Sequence, residues 1–111
     1  MCEFKVYVNG MEMFKDIVEV SYFGDKLILT DILGERRELD SSMVVKVSVQ
    51  NETLEISKNP LIGAVLRFLG RCEEVRRRGV YNVDVEKALE DIKAIGDNMV
   101  RDLWKTYFKK H

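Results

Sequence analysis

The chain has 111 residues, of which 46% are hydrophobic and 33% charged, and its formal net charge at pH 7 is -1. A chain of this length can bury roughly two-thirds of its unfolded surface and fold unaided, as one domain or as two very small ones. The composition excludes a membrane span, which needs about 18 uninterrupted apolar residues. The balanced charge also provides no overall attraction to nucleic acid.

The start of the chain and its cysteines indicate the cellular compartment. The two cysteines, Cys2 and Cys72, lie far apart in the sequence. The first 20 residues contain no long apolar segment of the kind that signal peptides have, because they carry charges at Glu3, Lys5, Glu12, Lys15 and Asp16. We therefore expect a cytoplasmic protein with free thiols.

Cys2 opens a strand-like run over residues 2–8 and directly follows Met1. A small residue at this position permits removal of Met1, which leaves an α-amine and a thiol on the same residue. These two groups can close a five-membered chelate ring, and such soft sulfur and nitrogen donors favour Ni(II), Cu and Zn over Mg and Ca. An isolated cysteine is also often a small packed hydrophobe with no metal role.

Residues 1–58 alternate between apolar and polar side chains, which is typical of β-strands. Tight-turn signals such as Asn9-Gly10 separate the strand-like runs, and Asn-Gly tolerates the positive φ angles of a type I′ turn. The pattern predicts a small antiparallel β-barrel or rolled sheet in which sequential neighbours pair. The predicted strands are residues 2–8, 16–23, 26–32, 35–39, 43–50 and 52–57.

Alternating apolar residues within these strands predict the core of the sheet. One row in the first strand faces a matching row in the second, and the third and fifth strands supply further rows. We expect all of them to point into the barrel. The rows are Phe4, Val6 and Val8; Val18, Val20 and Tyr22; Leu27 and Leu29; and Val45, Val47 and Val49.

Several of these segments, taken in order, resemble the CooT-type family of small proteins. They are Met1-Cys2 followed by Val6 and Val8, then residues 16–20, 24–26 and 30–35. The resemblance covers about residues 1–57. It implies a short all-β protein, often dimeric, that handles nickel during maturation of carbon monoxide dehydrogenase, and some relatives are labelled predicted RNA-binding proteins. It also implies that Cys2 is the nickel ligand, paired with Cys2 of a second subunit.

Residues 59–111 show helical spacing and match nothing in this resemblance. Asn59-Pro60 suits a helix start, with Asn as N-cap and Pro in the first turn. Gly79 can end this helix, and Asn82 can cap the next. The complete prediction is an α+β chain with a CooT-like sheet domain over residues 1–58. An antiparallel helical hairpin of residues 60–78 and 83–109 occupies a second segment, residues 59–111.

Each predicted helix carries an apolar stripe, which we expect to form the inner seam of the hairpin. The stripes are Ile62, Val65, Leu69 and Cys72 on the first helix, and Val85, Leu89, Ile92, Met99 and Leu103 on the second. Further apolar residues exceed what one seam can hide, so we expect the hairpin to pack on the sheet or on a second copy in a homodimer. Among them, Trp104, Tyr107 and Phe108 form a candidate interaction surface that could dock a maturation partner or stack bases, although aromatic residues at helical spacing are more often part of a core.

Arginines cluster near the end of the first helix, at Arg71, Arg76, Arg77 and Arg78. They form a candidate anion or RNA patch. Cations at a helix C-terminus are also stabilised by its partial negative charge, so the cluster is equally typical of a solvated helix end. Lysines near the end of the second helix have the same explanation.

Catalysis is not expected. The single histidine, His111, is the last residue of the sequence, so no Cys-His or Ser-His-Asp arrangement is credible. Glycine-rich phosphate loops, CxxC pairs and HExxH helices are absent from the sequence. We therefore favour a nickel-binding accessory protein, with an RNA-binding or protein-interaction module without a metal role as the alternative.

Overall fold

The computed structural model describes residues 3–108, which form six β-strands followed by two α-helices. The predicted α+β class, with a rolled sheet and a helix pair, is confirmed. The chain divides into two compact units, the first ending at Gly63 and the second beginning at Ala64. The elements are β1 (Phe4–Val8), β2 (Met11–Phe23), β3 (Lys26–Asp31), β4 (Arg36–Asp40), β5 (Ser42–Ser48), β6 (Thr53–Lys58), α1 (Pro60–Arg78) and α2 (Asp84–Tyr107).

The strands form one sheet in the order β4-β3-β2-β1-β6-β5. All neighbours are antiparallel except β1 and β6, which run parallel with Lys5 opposite Thr53. The prediction that sequential strands pair is confirmed for four pairs and wrong for β4 and β5. Only Ser41 separates these two strands, which is too short for a two-residue hairpin, and its φ of 50° turns the chain away instead.

The turn between β1 and β2 has the predicted type I′ signature, with φ angles of 50° at Asn9 and 86° at Gly10. Asn9 also fixes the end of β6, because its side chain accepts a hydrogen bond from the Lys58 backbone N–H and donates one to the Lys58 carbonyl, at 2.9 and 3.1 Å. β2 begins at Met11, five residues before the predicted start. Residues 11–15 are largely exposed and lack a buried alternating row, so the periodicity did not reveal them.

A bend in β2 wraps the sheet around its core. Asp16 has a positive φ of 58°, and the pairing register shifts on both sides of Ile17. Such bulges bend a strand and increase its twist. Ile17 is only 1% exposed, so the bend directs this side chain into the core.

The core of the first unit consists of aliphatic side chains from four strands. Phe4, Phe14, Leu39 and Val44 pack against its border. Filling a small sheet core with β-branched and leucine side chains is typical of rolled sheets. The buried members are Val6, Val8, Ile17, Leu27, Leu29, Leu54 and Ile56.

The sheet rolls up without closing. From Val18 onward β2 pairs only with β3, because β1 begins at Phe4 opposite Ile17. The roll brings this part of β2 near β5, and the Tyr22 hydroxyl donates a hydrogen bond of 2.7 Å to the Ser42 carbonyl. β2 and β5 are not neighbours in the sheet, so this bond joins two strands that no backbone ladder connects.

Two of the predicted core rows lie at this opening and are not buried. Val20 pairs with Leu29 and Tyr22 with Leu27, so both face the same side of the sheet as core residues. They nevertheless remain exposed because no strand lies on their other side. The expectation of full burial was wrong for Val18, Val20, Tyr22, Val45, Val47 and Val49.

The predicted helix boundaries are largely confirmed. The Asn59 side chain accepts a hydrogen bond from the Leu61 N–H at 2.9 Å, and the Asn82 side chain accepts one from Asp84 at 2.9 Å. Gly79 ends α1 with a φ of 70°, and its N–H donates to the Val75 carbonyl. Neither described helix is long and apolar enough to cross a membrane.

The helices bury little apolar surface. Within their described residues only the alanines Ala64 and Ala88 have buried side chains. The expected seam is half-buried at Ile62, Cys72, Val85, Ile92 and Met99, but the prediction of burial was wrong for Val65, Leu69, Leu89 and Leu103, which are exposed. One chain therefore leaves much of its helical apolar surface uncovered.

Replacing Ile17 by alanine should destabilise the protein strongly, because the side chain at the β2 bend is fully buried. We expect a loss of about 3 kcal/mol in the free energy of unfolding, measured by urea titration. Val20→Ala is the matched control on the same strand, and at its exposed position should cost about 1 kcal/mol or less. Equal losses for the two variants would contradict the placement of the core.

Replacing Tyr22 by phenylalanine should destabilise the roll by about 1 kcal/mol at pH 7, because the bond to the Ser42 carbonyl is lost. Tyr81→Phe removes a hydrogen bond to Glu86 at an exposed site and should cost less. Urea unfolding at pH 7 measures both.

The same bond should make the stability of the sheet depend on alkaline pH. Burial raises the pKa of Tyr22 above its usual 10.0. The contribution of this hydrogen bond to the free energy of unfolding is therefore complete below about pH 10. It is lost as the pH rises through the folded-state pKa of Tyr22. Wild type should lose more stability than Tyr22→Phe above pH 10, and parallel pH profiles would refute this assignment.

Candidate functional site

The start of β1 is tied to the turn between β5 and β6. The Glu3 N–H donates to the Glu52 carboxylate at 3.1 Å, and the Lys5 N–H donates to the Glu52 carbonyl at 3.0 Å. Glu52 has a φ of 53°, a left-handed conformation that turns its carbonyl and side chain toward β1. The predicted metal ligand, Cys2, lies outside the described residues and directly precedes this anchored segment.

An apolar cavity of about 210 Å³ opens beside the first residue of β1. It lies in the gap between the second half of β2 and β5, where both strands have unpaired edges. Its only charged lining residue is Glu19. The lining residues are Phe4, Ile17, Val18, Glu19, Val20, Val47 and Leu54. The sequence pattern predicted the lining residues Val18, Val20 and Val47 as core residues. It did not predict a cavity.

The described part of the chain, residues 3–108, contains no group of three or more His, Cys, Asp or Glu side chains placed to hold a metal ion. Cys72 is half-buried in α1, in line with its expected packing role. Glu52 and the cavity were not identified from sequence, because neither carries a motif.

The four arginines of the predicted patch are all exposed, but they do not share one surface. Arg71 and Arg78 line a shallow cavity of about 440 Å³ together with Glu74 and Tyr81. Arg78 is also ion-paired with Glu74 at 3.2 Å. Since successive helix residues point about 100° apart, Arg76 and Arg77 face other directions. An RNA or anion role for this cluster stays a prediction.

The predicted aromatic surface lies at the end of α2 and is exposed. Trp104, Tyr107 and Phe108 are 52%, 58% and 60% exposed. The rings of Trp104 and Phe108 stack, with their centroids 5.1 Å apart. The three side chains therefore present a contiguous apolar patch, on a different unit from the start of β1.

The segments that carried the family resemblance have clear structural roles. Asp31 closes the turn between β3 and β4, since its carboxylate accepts hydrogen bonds of 2.9 Å from the N–H groups of Leu33 and Glu35. Gly34 supplies a φ of 87° in the same turn. Residues 16–20 form the bend of β2. These motifs build the rolled sheet, and the metal role of Cys2 stays a prediction.

The profile of the family described as CO dehydrogenase accessory protein CooT matches residues 1–57. The chain belongs to the CooT family. The matched region contains Cys2 and the whole rolled sheet except the last residue of β6, whereas α1 and α2 lie beyond it. No curated protein matches the chain.

Removing the Glu52 carboxylate should loosen the start of β1. In Glu52→Ala the Glu3 amide loses its acceptor, and we expect its hydrogen exchange, measured by NMR, to accelerate roughly fivefold. Glu52→Gln keeps an acceptor oxygen and should resemble wild type. The Lys5 amide, which bonds to the backbone of residue 52, serves as the internal control, and equal acceleration at Lys5 would indicate general unfolding of the turn.

Proposed function

We propose that this protein is a nickel-binding accessory protein in the maturation of CO dehydrogenase, with the Cys2 thiolate as a nickel ligand. Nickel is its cargo, and the protein itself is non-catalytic, cytoplasmic and homodimeric. The observation that carries the proposal is the CooT match, which includes both Cys2 and the sheet that supports it.

The described segment that directly follows Cys2 in the sequence supports a ligand role. The Glu3 N–H is held by the Glu52 carboxylate. β1 follows at once and is paired on both sides, with β2 and with β6. A residue that precedes a strand paired on both sides has the kind of support that a preorganised binding site needs.

The available donors support a site shared by two copies. Residues 3–108 offer no ready-made metal cluster. After removal of Met1, Cys2 supplies a thiolate and an α-amine, which together make one bidentate chelate. Two chains would supply four donors of the S/N type, a number that suits four-coordinate Ni(II). One nickel ion per two chains is the expected stoichiometry.

Nickel titration of protein that lacks Met1, verified by intact mass, tests the proposal. Wild type should bind at micromolar or tighter affinity, with one nickel per two chains and a thiolate-to-nickel absorption band. Binding should weaken as the pH falls, because the ligand thiol must lose its proton. Calorimetry and absorption spectroscopy measure these quantities.

The two cysteines of the chain provide a matched pair of variants. Cys2→Ser should abolish both the binding and the absorption band, whereas Cys72→Ser should leave both unchanged. Failure of Met1-free wild type to bind nickel would refute the proposal. Binding that survives in Cys2→Ser would refute the role of this residue.

A further inference from the structure

The second helix carries an exposed apolar stripe. It consists of Leu89, Gly96, Val100, Leu103 and Tyr107, at spacings of 7, 4, 3 and 4. These spacings keep the residues on one side of a helix and resemble the seam of a coiled coil. Its four side chains are 38–68% exposed, whereas the neighbouring Ala88 is buried.

The area of this face fits a protein partner. Aromatic side chains bury about 150–250 Å² each, so Trp104, Tyr107 and Phe108, all more than half exposed, alone present roughly 300 Å². Leu89, Val100 and Leu103 add to this. Two such faces together approach the roughly 1,000 Å² that a specific interface buries.

Gly96 marks the centre of the stripe. It lies next to the midpoint of α2, which runs from Asp84 to Tyr107. A glycine inside a helix is destabilising compared with alanine. Apart from its chain neighbours and the backbone of its own helical turns, no atom of the described structure lies within 4 Å of a Cβ placed there, so packing within the chain gives no reason for glycine. A second helix that approaches closely at this point would give one, because interhelical distance depends on the side chains at the contact.

The charges beside the stripe complement each other when two copies of α2 run antiparallel. Glu90 lies five residues before Ile95, and Arg101 lies five residues after Gly96. A two-fold axis at the helix midpoint therefore places Glu90 of each copy beside Arg101 of the other. Glu86 and Lys105 are related in the same way. In a parallel pairing, residues of the same sign would meet instead.

From the exposed stripe, the central glycine and these charges, we propose that α2 pairs antiparallel with α2 of a second copy, around a two-fold axis beside Gly96. The shallow groove of about 300 Å³ lined by Met99, Leu103 and Tyr107, together with Asp102 and Thr106, would then receive Leu89 of the second copy. This interface lies outside the region matched by the CooT family and needs no metal.

Charge reversal tests the pairing in the full-length chain with Cys2→Ser and a chelator, so that metal-linked association is absent. Sedimentation equilibrium should show a dimer, and Arg101→Glu should weaken it at least about tenfold because like charges then face each other twice. The double variant Glu90→Arg, Arg101→Glu should restore the dimer. A chain that stays monomeric up to about 1 mM, or a double variant as weak as the single one, would overturn the proposal.

Two glycines provide a matched comparison. Gly96→Ala and Gly70→Ala both add a methyl group at positions with open space in the chain, and both should raise helix stability. Only Gly96→Ala should also weaken the dimer, about tenfold, because its methyl group would lie between the two helices. Equal dimer affinity for the two variants would overturn the central position of Gly96.

Disulfide trapping tests the orientation in a Cys2→Ser, Cys72→Ser background. Gly96→Cys should cross-link to itself, because the residue lies beside the two-fold axis. Leu89→Cys should not, because the two copies would be roughly 20 Å apart at 1.5 Å per residue, and a disulfide requires Cα atoms within about 7 Å. Cross-linking of Leu89→Cys as efficient as that of Gly96→Cys would mean a parallel pairing and overturn the proposal.

This proposal and the nickel proposal can fail separately. A dimer that α2 variants leave unchanged, but that disappears with Cys2→Ser, would overturn the α2 interface and leave the nickel role intact. A metal-free dimer that depends on Arg101, together with absence of nickel binding, would support the α2 interface and refute the nickel role.

Discussion

The rolled sheet depends on β1, which pairs with β2 on one side and with β6 on the other. The parallel pairing with β6 joins the first strand of the sheet to the last, across almost 50 residues of sequence. It also forces β5 to the sheet edge and leaves β4 at the opposite edge. Asn9, through its two hydrogen bonds to Lys58, fixes the far end of the same pairing. The gap beside Phe4 and the constrained position next to Cys2 are both consequences of this central strand.

Local sequence signals predicted the local structure well. Asn9-Gly10, Asn59-Pro60 and Gly79 specify φ angles or capping hydrogen bonds through their own side chains or lack of them, so each could be identified without tertiary information. The pairing of β1 with β6 could not, because no short-range rule brings Lys5 opposite Thr53. The failed pairing of β4 with β5 has a different, local cause. Only Ser41 separates these two strands, and its positive φ turns the chain away.

The predicted core row of β2 was correct in face at Val20 and Tyr22 and wrong in extent. Alternation identified which side of β2 carries Val20 and Tyr22, but burial depends on whether another strand covers that side. The same holds for the helices, where Leu89 and Leu103 have the spacing of core residues and lie exposed in a single chain. Spacing thus identifies an apolar face of a strand or helix. It does not identify the element or the molecule that covers this face. The ligand role predicted for Cys2 rests on donor chemistry and the family resemblance, and no periodic signal bears on it.

The parallel contact between β1 and β6 also has a consequence for biosynthesis. Translation proceeds at about 5–20 residues per second, so roughly 3–10 seconds separate the synthesis of β1 from that of β6. During this interval one edge of β1 has no partner, and the N-terminal residues are not yet held by Glu52. An aminopeptidase that acts on nascent chains would meet an accessible Met1 in that period. The order of strands in the sheet therefore leaves the start of β1 unanchored until most of the sheet has been synthesised.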